Sequence, residues 1–515
     1  DLAPSPLYDL IQPHITEPAI LNSSDRRLNG VIPLELGMNK YSQSYKQLDS
    51  TLVDLAAQSI LEDFNSVHSS SPKRKLTIDE AINGIPGVPY IDPLAMKPSA
   101  GYPFCLNSKT RGSKRQLFKQ RPDQTYEIEN PLLQQQINTV SEELETGHAN
   151  TDQFVDTIKD ERRPIPKIVK GRMFSVASLS LTILSRQLFL PFFAHMYFSR
   201  LRTFSAIGIN KGSLEWHYLI KRMLEVGNHA TAGDYSCWDG TLLACCFFAC
   251  LTIINGWYQE RNQTTKTARK TVFVRVAFCH HRNEYFIYET IGGMPSGWDG
   301  TVNINTLVNE MYLRVSWMLL VPPQFKDLLH YRRFVRTAIY GDDNFFTVDV
   351  HFISVFNGAT ISSLLRDFGL KLTPATKQGD FEGNSMDLME CTFLKNSTGI
   401  FCGKYVPLME LDALLETLNW IRPMKGQTND ELCCNNCNMV LMNLFFYGEA
   451  IFNEIRQKIL NLQPSYKLLS FYHLRSEFLS DGIVTDPANA YGFSKSSQIT
   501  PFTTQKSLAD FARCP

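Results

Sequence analysis

The stretch "FVRTAIYGDDNFFTV", residues 334–348, sets two adjacent aspartates, Asp342 and Asp343, between two runs rich in β-branched and aromatic residues. Such runs predict strands, and the Gly341-Asp342 pair between them suits a two-residue hairpin turn. Turn chemistry accounts for one aspartate, whose short polar side chain tolerates turn dihedrals. A second carboxylate beside it adds like-charge repulsion, which a bound divalent cation would offset. Taken alone, a Gly-Asp-Asp turn also fits an ordinary surface hairpin, so the rest of the chain has to decide.

With 515 residues, 43% of them hydrophobic, the chain is long enough for a large core divided among several lobes. Lys+Arg and Asp+Glu are equal at 51 each, so only local clustering argues for a polyanionic partner. The 12 cysteines lie in hydrophobic segments such as "LLACCFFAC" (242–250) rather than in a disulfide framework, which predicts a reducing, intracellular setting. "CCNNC" (433–437) has no second Cys or His pair nearby to complete a zinc site and reads as buried helix cysteines. "CHH" (279–281), between "VRVAF" and "RNEYFIYE", reads as a hairpin turn with polar tips. The longest apolar run, Leu242 to Ile254, is too short for a membrane span and predicts a buried core helix. "DLAPSPLYDLIQPH" at the start lacks the basic and apolar regions of a secretory signal, and a start at Asp1 suggests a chain cut from a longer one.

Helical periodicity marks "QLDSTLVDLAAQSILEDF" near the start and "NPLLQQQINTVSEELETG" in the region 130–230. From 270 to 350 the hydrophobic period shifts toward two, predicting strands. After about 405 the pattern is helical again, as in "LDALLETLNWIRP". The expectation is a mixed α+β body with a mostly helical C-terminal lobe.

If the paired aspartates hold a metal, further oxygen ligands come from elsewhere in the chain. In "ATAGDYSCWDGTLLACCFF" a strand-like lead ends at Asp234. Asp239, five residues on, precedes a helix and is a natural N-cap. "GGMPSGWDGTVNINTLVNEM" (292–311) is a Gly- and Pro-containing loop running into a helix from Thr301. Ser296, Thr301 and Asn305 stand near its start, an arrangement suited to nucleotide or backbone recognition as well as to a plain turn and cap. "KDERRPIPKIVKGR" (159–172) holds six basic residues against two acidic ones, and "KTRGSKRQLFK" (109–119) holds five basic and no acidic residue. Charge runs of this kind are ordinarily solvated loops. Two such ordered segments in a neutral chain predict a focused electropositive path for nucleic acid or triphosphates.

Taken in order, "SAGYP" (99–103), "KDERR…KGR" (159–172), "DYSCWD" (234–239), "GGMPSGWDGTVNIN" (292–305), "YGDD" (340–343), "TPATK" (373–377) and "TFLKN" (392–396) resemble the G, F, A, B, C, D and E motifs of a picornavirus-like (Picornavirales) RNA-dependent RNA polymerase. The resemblance covers about residues 99 to 396, with a weaker likeness around "LNWIR" (418–422). Single motifs are unspecific, but seven in order at these separations are not, and the plain-hairpin reading of the aspartates no longer competes.

The resemblance implies an α+β, closed right-hand polymerase fold of fingers, palm and thumb, with an antiparallel palm sheet flanked by helices and a mostly helical thumb. Its expected divisions are fingers 1–195, palm 196–268 with motif A, a fingers insertion 269–291, palm 292–400 with motifs B to E, and thumb 401–515. Two Mg²⁺ ions, for which Mn²⁺ can substitute, are implied at Asp234 and Asp342 as principal ligands and Asp343 as auxiliary, for in-line phosphoryl displacement. Asp239 and Asn305 are implied to read the ribose 2′-hydroxyl, with Ser296 and Thr301 ordering them and Tyr235 beside the nucleotide. A site built to bind a hydroxyl discriminates strongly against a substrate without one. A reverse transcriptase, by contrast, is expected to carry a bulky residue at the Asp239 position.

Lys159, Arg163, Lys167 and Arg172 match the triphosphate path, with Arg172 in direct phosphate contact because arginine offers a planar, bidentate donor. Lys377 matches the lysine that protonates the leaving pyrophosphate. Ser99, Gly101, Tyr102, Gly297 and Lys395 match RNA-contacting positions. The implied partners are template and product RNA, ribonucleoside triphosphates, a protein primer (VPg-like) and other viral replication proteins, with no membrane span. The implied location is the host cytoplasm, at membrane-associated replication complexes.

Several departures from the picornavirus pattern stand out: Asn344 after the aspartates, Trp298 and Asp299 in the motif B loop, altered spacing after Lys167 that leaves Lys170 unassigned, a longer C-terminal lobe, and Asp1 in place of an N-terminal glycine. Together they point to a picorna-like virus outside the vertebrate picornaviruses. Two other classes compete. A catalytically idle RNA-binding scaffold would most simply have lost a metal carboxylate, yet all three are present. A two-metal nuclease has no use for a ribose-reading pair or a triphosphate channel.

Overall fold

Alternating small and bulky apolar residues build the central sheet of this computed structural model, which describes residues 2–481 except 23, 29, 31, 42–45, 111, 150, 151, 285 and 378. Asp1, Arg111 of the second basic run and residues 482–515 of the assigned thumb lie outside the described residues. In the sheet, Val335–Tyr340, Asp343–Val348, His229–Tyr235 and Leu372–Pro374 lie side by side in that order, all antiparallel, and Met386–Asp387 also pairs with His229–Tyr235. The period of two sorts the faces. Ile339, Phe346 and Val348 join the main core with Leu307 and Met311. Ala338, Phe345, Ala230 and Ala232 pack on the other side with Trp216, Leu219 and Met223.

A second sheet, in the order Ile287–Glu289, His280–Arg282, Gln153–Ile158, Met173–Val176, includes one parallel pair, Gln153–Ile158 with His280–Arg282. The helices of this body pack on one another and have well-formed ends. Pro131–Thr146 starts with Asn130 accepting from the Leu133 amide and stops at left-handed Gly147. Ser50–Asn65 starts at Asp49, which accepts from the Thr51 and Leu52 amides.

After residue 410 the chain is mainly helical, and that lobe has its own core of Leu414, Leu418, Val440, Phe445, Phe452 and Phe478. Leu7 belongs to the same core, because Ala3–Pro4 pairs with Trp420–Ile421. The N-terminal segment then runs on to pair Thr16–Pro18 with Arg162–Pro164 at the base of the basic loop. Glu416 accepts from the Ile15 and Thr16 amides at 3.2 and 3.1 Å and from the Trp420 indole at 3.0 Å, and Arg422 forms an ion pair with Asp160. Together these contacts join the basic loop to the C-terminal lobe.

Three local expectations are corrected. The period-two region does not begin at 270: Gln263–Ala277 is a helix whose Val272, Phe273 and Val276 are buried, and Thr301–Leu320 interrupts the strands as a helix longer than its start suggested. Phe334 closes the helix Leu328–Phe334 instead of opening the strand. Cys279 and His281 are not turn tips. The turn lies beyond Arg282, and both side chains are buried, with His281 Nδ1 2.9 Å from Asp156 Oδ1 and Nε2 3.3 Å from Cys279 Sγ. The cysteines at 433 and 437 lie in helix Asn429–Leu444 and are buried, as expected.

Thr301–Leu320 is nearly all buried, so its charged residues have to be paired inside the protein. Arg314 donates to Glu310 Oε1 at 2.8 Å and Ser59 Oγ at 2.5 Å, and also pairs with Asp63; Glu310 Oε2 accepts from Thr337 Oγ1 at 2.9 Å. The network ties this helix to Ser50–Asn65 and to the strand leading into the paired aspartates. Removing one partner strands a buried charge, which costs about 3–5 kcal/mol. Arg314→Met is therefore expected to lower the apparent Tm by several degrees in differential scanning fluorimetry, and an unchanged Tm would contradict this role.

Candidate active site

The register that pairs Tyr340 with Asp343 leaves Gly341 and Asp342 as the whole turn. Gly341 has φ +63°, where a side chain is disfavoured. Helix Thr301–Leu320 grips the turn from behind. Thr306 Oγ1 accepts from the Gly341 amide at 2.8 Å, and Asn309 Nδ2 donates to the Gly341 and Asp342 carbonyls at 3.0 and 3.1 Å. Asn344 Nδ2 in turn donates to Asn309 Oδ1 at 3.3 Å. A Cβ on Gly233 would lie 2.7 Å from Asn344 Oδ1, so the glycine before Asp234 makes room for that amide. Sequence reasoning missed Thr306 and Asn309. Their spacing places them on one helical face, but only the packed hairpin shows what that face holds.

Asn344 pairs with Gly233, so the next step along the ladder sets Asp343 opposite Asp234 on the neighbouring strand. On the other side Thr373 pairs with Asp234, its hydroxyl donating to the Asp234 carbonyl at 3.2 Å. Just beyond, Lys377 adopts φ +58° and brings its Nζ to 2.9 Å from Asp234 Oδ2. Burial, then Asp343 and Asp234, push Asp342 up to about 7. Asp343 is pushed up to about 6 by burial and Asp234, against the pull of Lys377 and Lys395. Lys395, assigned to RNA contact, therefore also acts on the carboxylates.

The three aspartates offer oxygen donors alone, the type that a hard divalent cation takes, and a cation would relieve the repulsion that raises Asp342 and Asp343. Among the described residues no three acidic, histidine or cysteine side chains enclose a metal ion by themselves. The donor set thus fits a cation whose remaining positions are filled by water and substrate phosphate.

Around the aspartates the assigned sugar- and base-side residues take different places. Asp239 does not cap the following helix. It lies inside the four-residue helix Trp238–Thr241, whose N-cap is Cys237, and Ala244–Tyr258 begins only after Leu243. The Asp239 carboxylate is held by Lys40 Nζ at 3.1 Å instead. Asn305 is 6% exposed and its Oδ1 has no hydrogen-bond partner among the described residues, an acceptor left over for a ligand. Thr301 Oγ1 donates to the Pro295 carbonyl at 2.8 Å and Ser296 Oγ accepts from the Ser175 amide at 3.4 Å, so both brace the loop. Gly297 lies so close to this strand that a Cβ would be 2.2 Å from the Ser175 carbonyl oxygen. The Tyr235 ring is buried against Trp238 at 4.7 Å and Tyr312 at 6.0 Å, which leaves its backbone as the part that a ligand can reach.

In the basic loop, Glu161 gathers Lys159, Arg163 and Arg172 at 3.8, 3.6 and 3.7 Å. Arg163 also donates to the Lys170 carbonyl at 3.0 Å, closing the loop on itself. Lys159 and Arg172 remain largely exposed, and Lys167 ends an exposed turn. In the second basic run Lys114 is buried, with its pKa lowered by desolvation against the pull of Asp299, while Lys109, Arg115 and Lys119 stay exposed, Arg115 donating to Gln120 and Lys119 pairing with Glu127. Near it, Ser99 Oγ accepts from the Gly101 amide at 3.2 Å. A Cβ on Gly101 would be 2.2 Å from the Ala177 carbonyl oxygen, and Arg282 sits 5.4 Å from the Tyr102 ring.

A family model described as viral RNA-dependent RNA polymerase matches residues 7–472. The chain is 28% identical over 488 residues to the genome polyprotein of Rice tungro spherical virus, covering 88% of this chain and 14% of that polyprotein. It is 29% identical over 487 residues to the replicase polyprotein of Cricket paralysis virus, covering 90% of this chain and 27% of that one. The chain thus spans well under a third of either relative. In structure it resembles the Sicinivirus 3Dpol RNA dependent RNA polymerase, with a TM-score of 0.76 over 93% of this chain and 95% of that one at 22% identity. The fold is the right-hand polymerase fold.

The raised aspartates set a pH dependence. Asp342 holds its proton in the folded protein up to about pH 7, whereas an ordinary aspartate loses it near 3.8, so between these values the native state binds more protons than the unfolded one. Stability of the metal-free protein is thus expected to fall as pH rises from about 4 to about 7. In chelator, Asp342→Asn is expected to have a higher apparent Tm than wild type at pH 8 and an equal one at pH 4. Equal values at both pH values would refute the charge argument.

Proposed function

Because the chain belongs to the viral RNA-dependent RNA polymerase family, we propose that it is the RNA-directed RNA polymerase of a picorna-like virus. In this reading it copies an RNA template by adding ribonucleotides to a primer 3′ end. The observation that carries the reading is the convergence of Asp234, Asp342 and Asp343 at the ends of adjacent strands, with Lys377 2.9 Å from Asp234. A purely structural fold gains nothing from three clustered carboxylates, two of which, Asp342 and Asp343, are pushed up by burial and by their acidic neighbours.

The primer 3′-oxygen attacks the α-phosphorus of the incoming triphosphate in line, the P–O bond to the β-phosphate breaks, and pyrophosphate leaves. Asp234, Asp342 and Asp343 would hold two divalent cations, Mg²⁺ with Mn²⁺ as a substitute, which would supply hydroxyl activation and neutralisation of phosphate charge. Thr306 and Asn309 keep the turn in place so that the carboxylates need not reorganise during the reaction. Lys377, 2.9 Å from Asp234, gives a proton to the departing pyrophosphate. Arg172, Lys159, Arg163 and Lys167 guide the triphosphate. Of these, Arg172 is exposed and fork-shaped, which suits a bidentate phosphate contact.

The 2′-hydroxyl donates to the Asp239 carboxylate and accepts from the Asn305 side-chain amide, and a substrate without that hydroxyl forfeits both contacts. Template and product run past Ser99, Gly101, Tyr102 and Gly297. A protein primer (VPg-like) and other viral replication proteins are the proposed partners, and host cytoplasmic replication complexes the proposed location. Among the described residues no helix is long and apolar enough to cross a membrane.

Extension of a short primed RNA with labelled ribonucleotides and Mg²⁺ tests the reading. Wild type is expected to extend and to prefer ribo- over deoxynucleotides, and Asp342→Asn to lose extension by a factor on the order of 10³ or more. Lys377→Met is expected to lower kcat by about 10²-fold with little change in KM. Full activity of Asp342→Asn would refute the metal assignment.

A further inference from the structure

Asp239, assigned above to the ribose, sits on a helix of one turn, and its carboxylate side chain is 27% exposed. A short polar side chain in such a place has several rotamers open to it, so something else must hold it if it is to read a sugar. That support comes from 199 residues earlier in the chain, where Lys40 Nζ donates to Asp239 Oδ2 at 3.1 Å. The Lys40 side chain is only 15% exposed, and its ammonium lies 4.9 Å from the centre of the Tyr41 ring.

Close packing fixes Lys40 itself. The short helix Pro33–Met38 and the turn Asn39–Tyr41 place Leu34, Met38 and Tyr41 against Ala19, Ile158 and Met173, the residues at the base of the basic loop. A Cβ on Gly240 would be 2.1 Å from the Lys40 carbonyl oxygen, so the turn and the Asp239 helix touch backbone to backbone. A Cβ on Gly293 would be 2.5 Å from the Asp239 carbonyl oxygen and 3.0 Å from the Tyr41 ring, while the Met294 amide donates to the Asp239 carbonyl at 2.7 Å. Three segments far apart in sequence therefore interlock around Asp239, and Lys40 is the charged group that one of them delivers.

We propose that Lys40 is a positioning residue for sugar selection, holding one oxygen of the Asp239 carboxylate so that the other accepts from the ribose 2′-hydroxyl. This rests on the polymerase reading and on the assignment of Asp239 to the sugar. A lysine that merely blocked Asp239 until substrate displaced it would have the opposite effect, since its removal would free the carboxylate and sharpen selection.

Single-nucleotide incorporation on a primed RNA, comparing kcat/KM for a ribonucleotide and the matching 2′-deoxynucleotide, separates these outcomes in the full chain. Wild type sets the baseline, and if it shows no preference for ribose the polymerase reading itself fails. Lys40→Met is expected to reduce the ribose preference by about 10-fold or more, and Lys40→Arg to keep it within about 3-fold. In an Asp239→Asn background, Lys40→Met is expected to change the preference no further, because its effect passes through that carboxylate. Lys40→Leu, which likewise removes the donor, gives the same comparison if the methionine variant folds poorly. An unchanged or increased preference in active Lys40→Met or Lys40→Leu, or an equal further loss in the Asp239→Asn background, would overturn the proposal.

Discussion

The rest of the site depends on the cost of holding three carboxylates together where strands end. Asp234, Asp342 and Asp343 repel one another, and partial burial of the turn removes the water that would screen them. An unsupported hairpin would relax by splaying its tip. It is prevented from doing so by the Thr306 and Asn309 bonds to the turn backbone, by Gly341 in a conformation that a side chain resists, and by Lys377 against Asp234. These supports are themselves anchored, since the helix carrying Thr306 and Asn309 also carries Glu310 and Arg314, whose buried network joins three elements. The turn that carries the aspartates inherits its rigidity from charges buried behind it.

Charge is distributed by the same logic elsewhere. A chain with equal numbers of acids and bases still concentrates positive charge, because Glu161 draws Lys159, Arg163 and Arg172 into one cluster on a loop with a cationic excess. Lys114 shows the converse, a cation from a basic run that faces inward toward Asp299 and is lost to any outer channel. Local charge counts find such runs, but only the fold decides which of their members face solvent.

The ends of the described chain meet. Ala3–Pro4 pairs with Trp420–Ile421, and Leu7 fills a place in the C-terminal core. The same N-terminal segment then joins Arg162–Pro164, and Arg422 reaches back to Asp160. Main-chain pairing at Arg162–Pro164 and an ion pair at Asp160 thus join the start of the basic loop to the N-terminal segment and to the C-terminal lobe, which lie far from it in sequence.

Residue pattern alone determined a good deal. The two-residue turn at Gly341-Asp342, the strand before Asp234 and the helices at 50–65 and 131–146 follow from local periodicity and spacing, which act over a few residues, while the seven motifs in order are legible through their resemblance to a known family. The failures were of one kind. Pattern and charge predict turn tips at 279–281, strand at 270–277 and an outward-facing Lys114. In each case the outcome was set by what packs against the residue from elsewhere: Asp156 on His281, the main core on Val272 and Phe273, Asp299 near Lys114. Sequence determined which elements form and which chemistry they carry. Only the tertiary structure decided which side chains are free to use that chemistry, because burial and long-range pairing are properties of neighbours that the local chain does not contain.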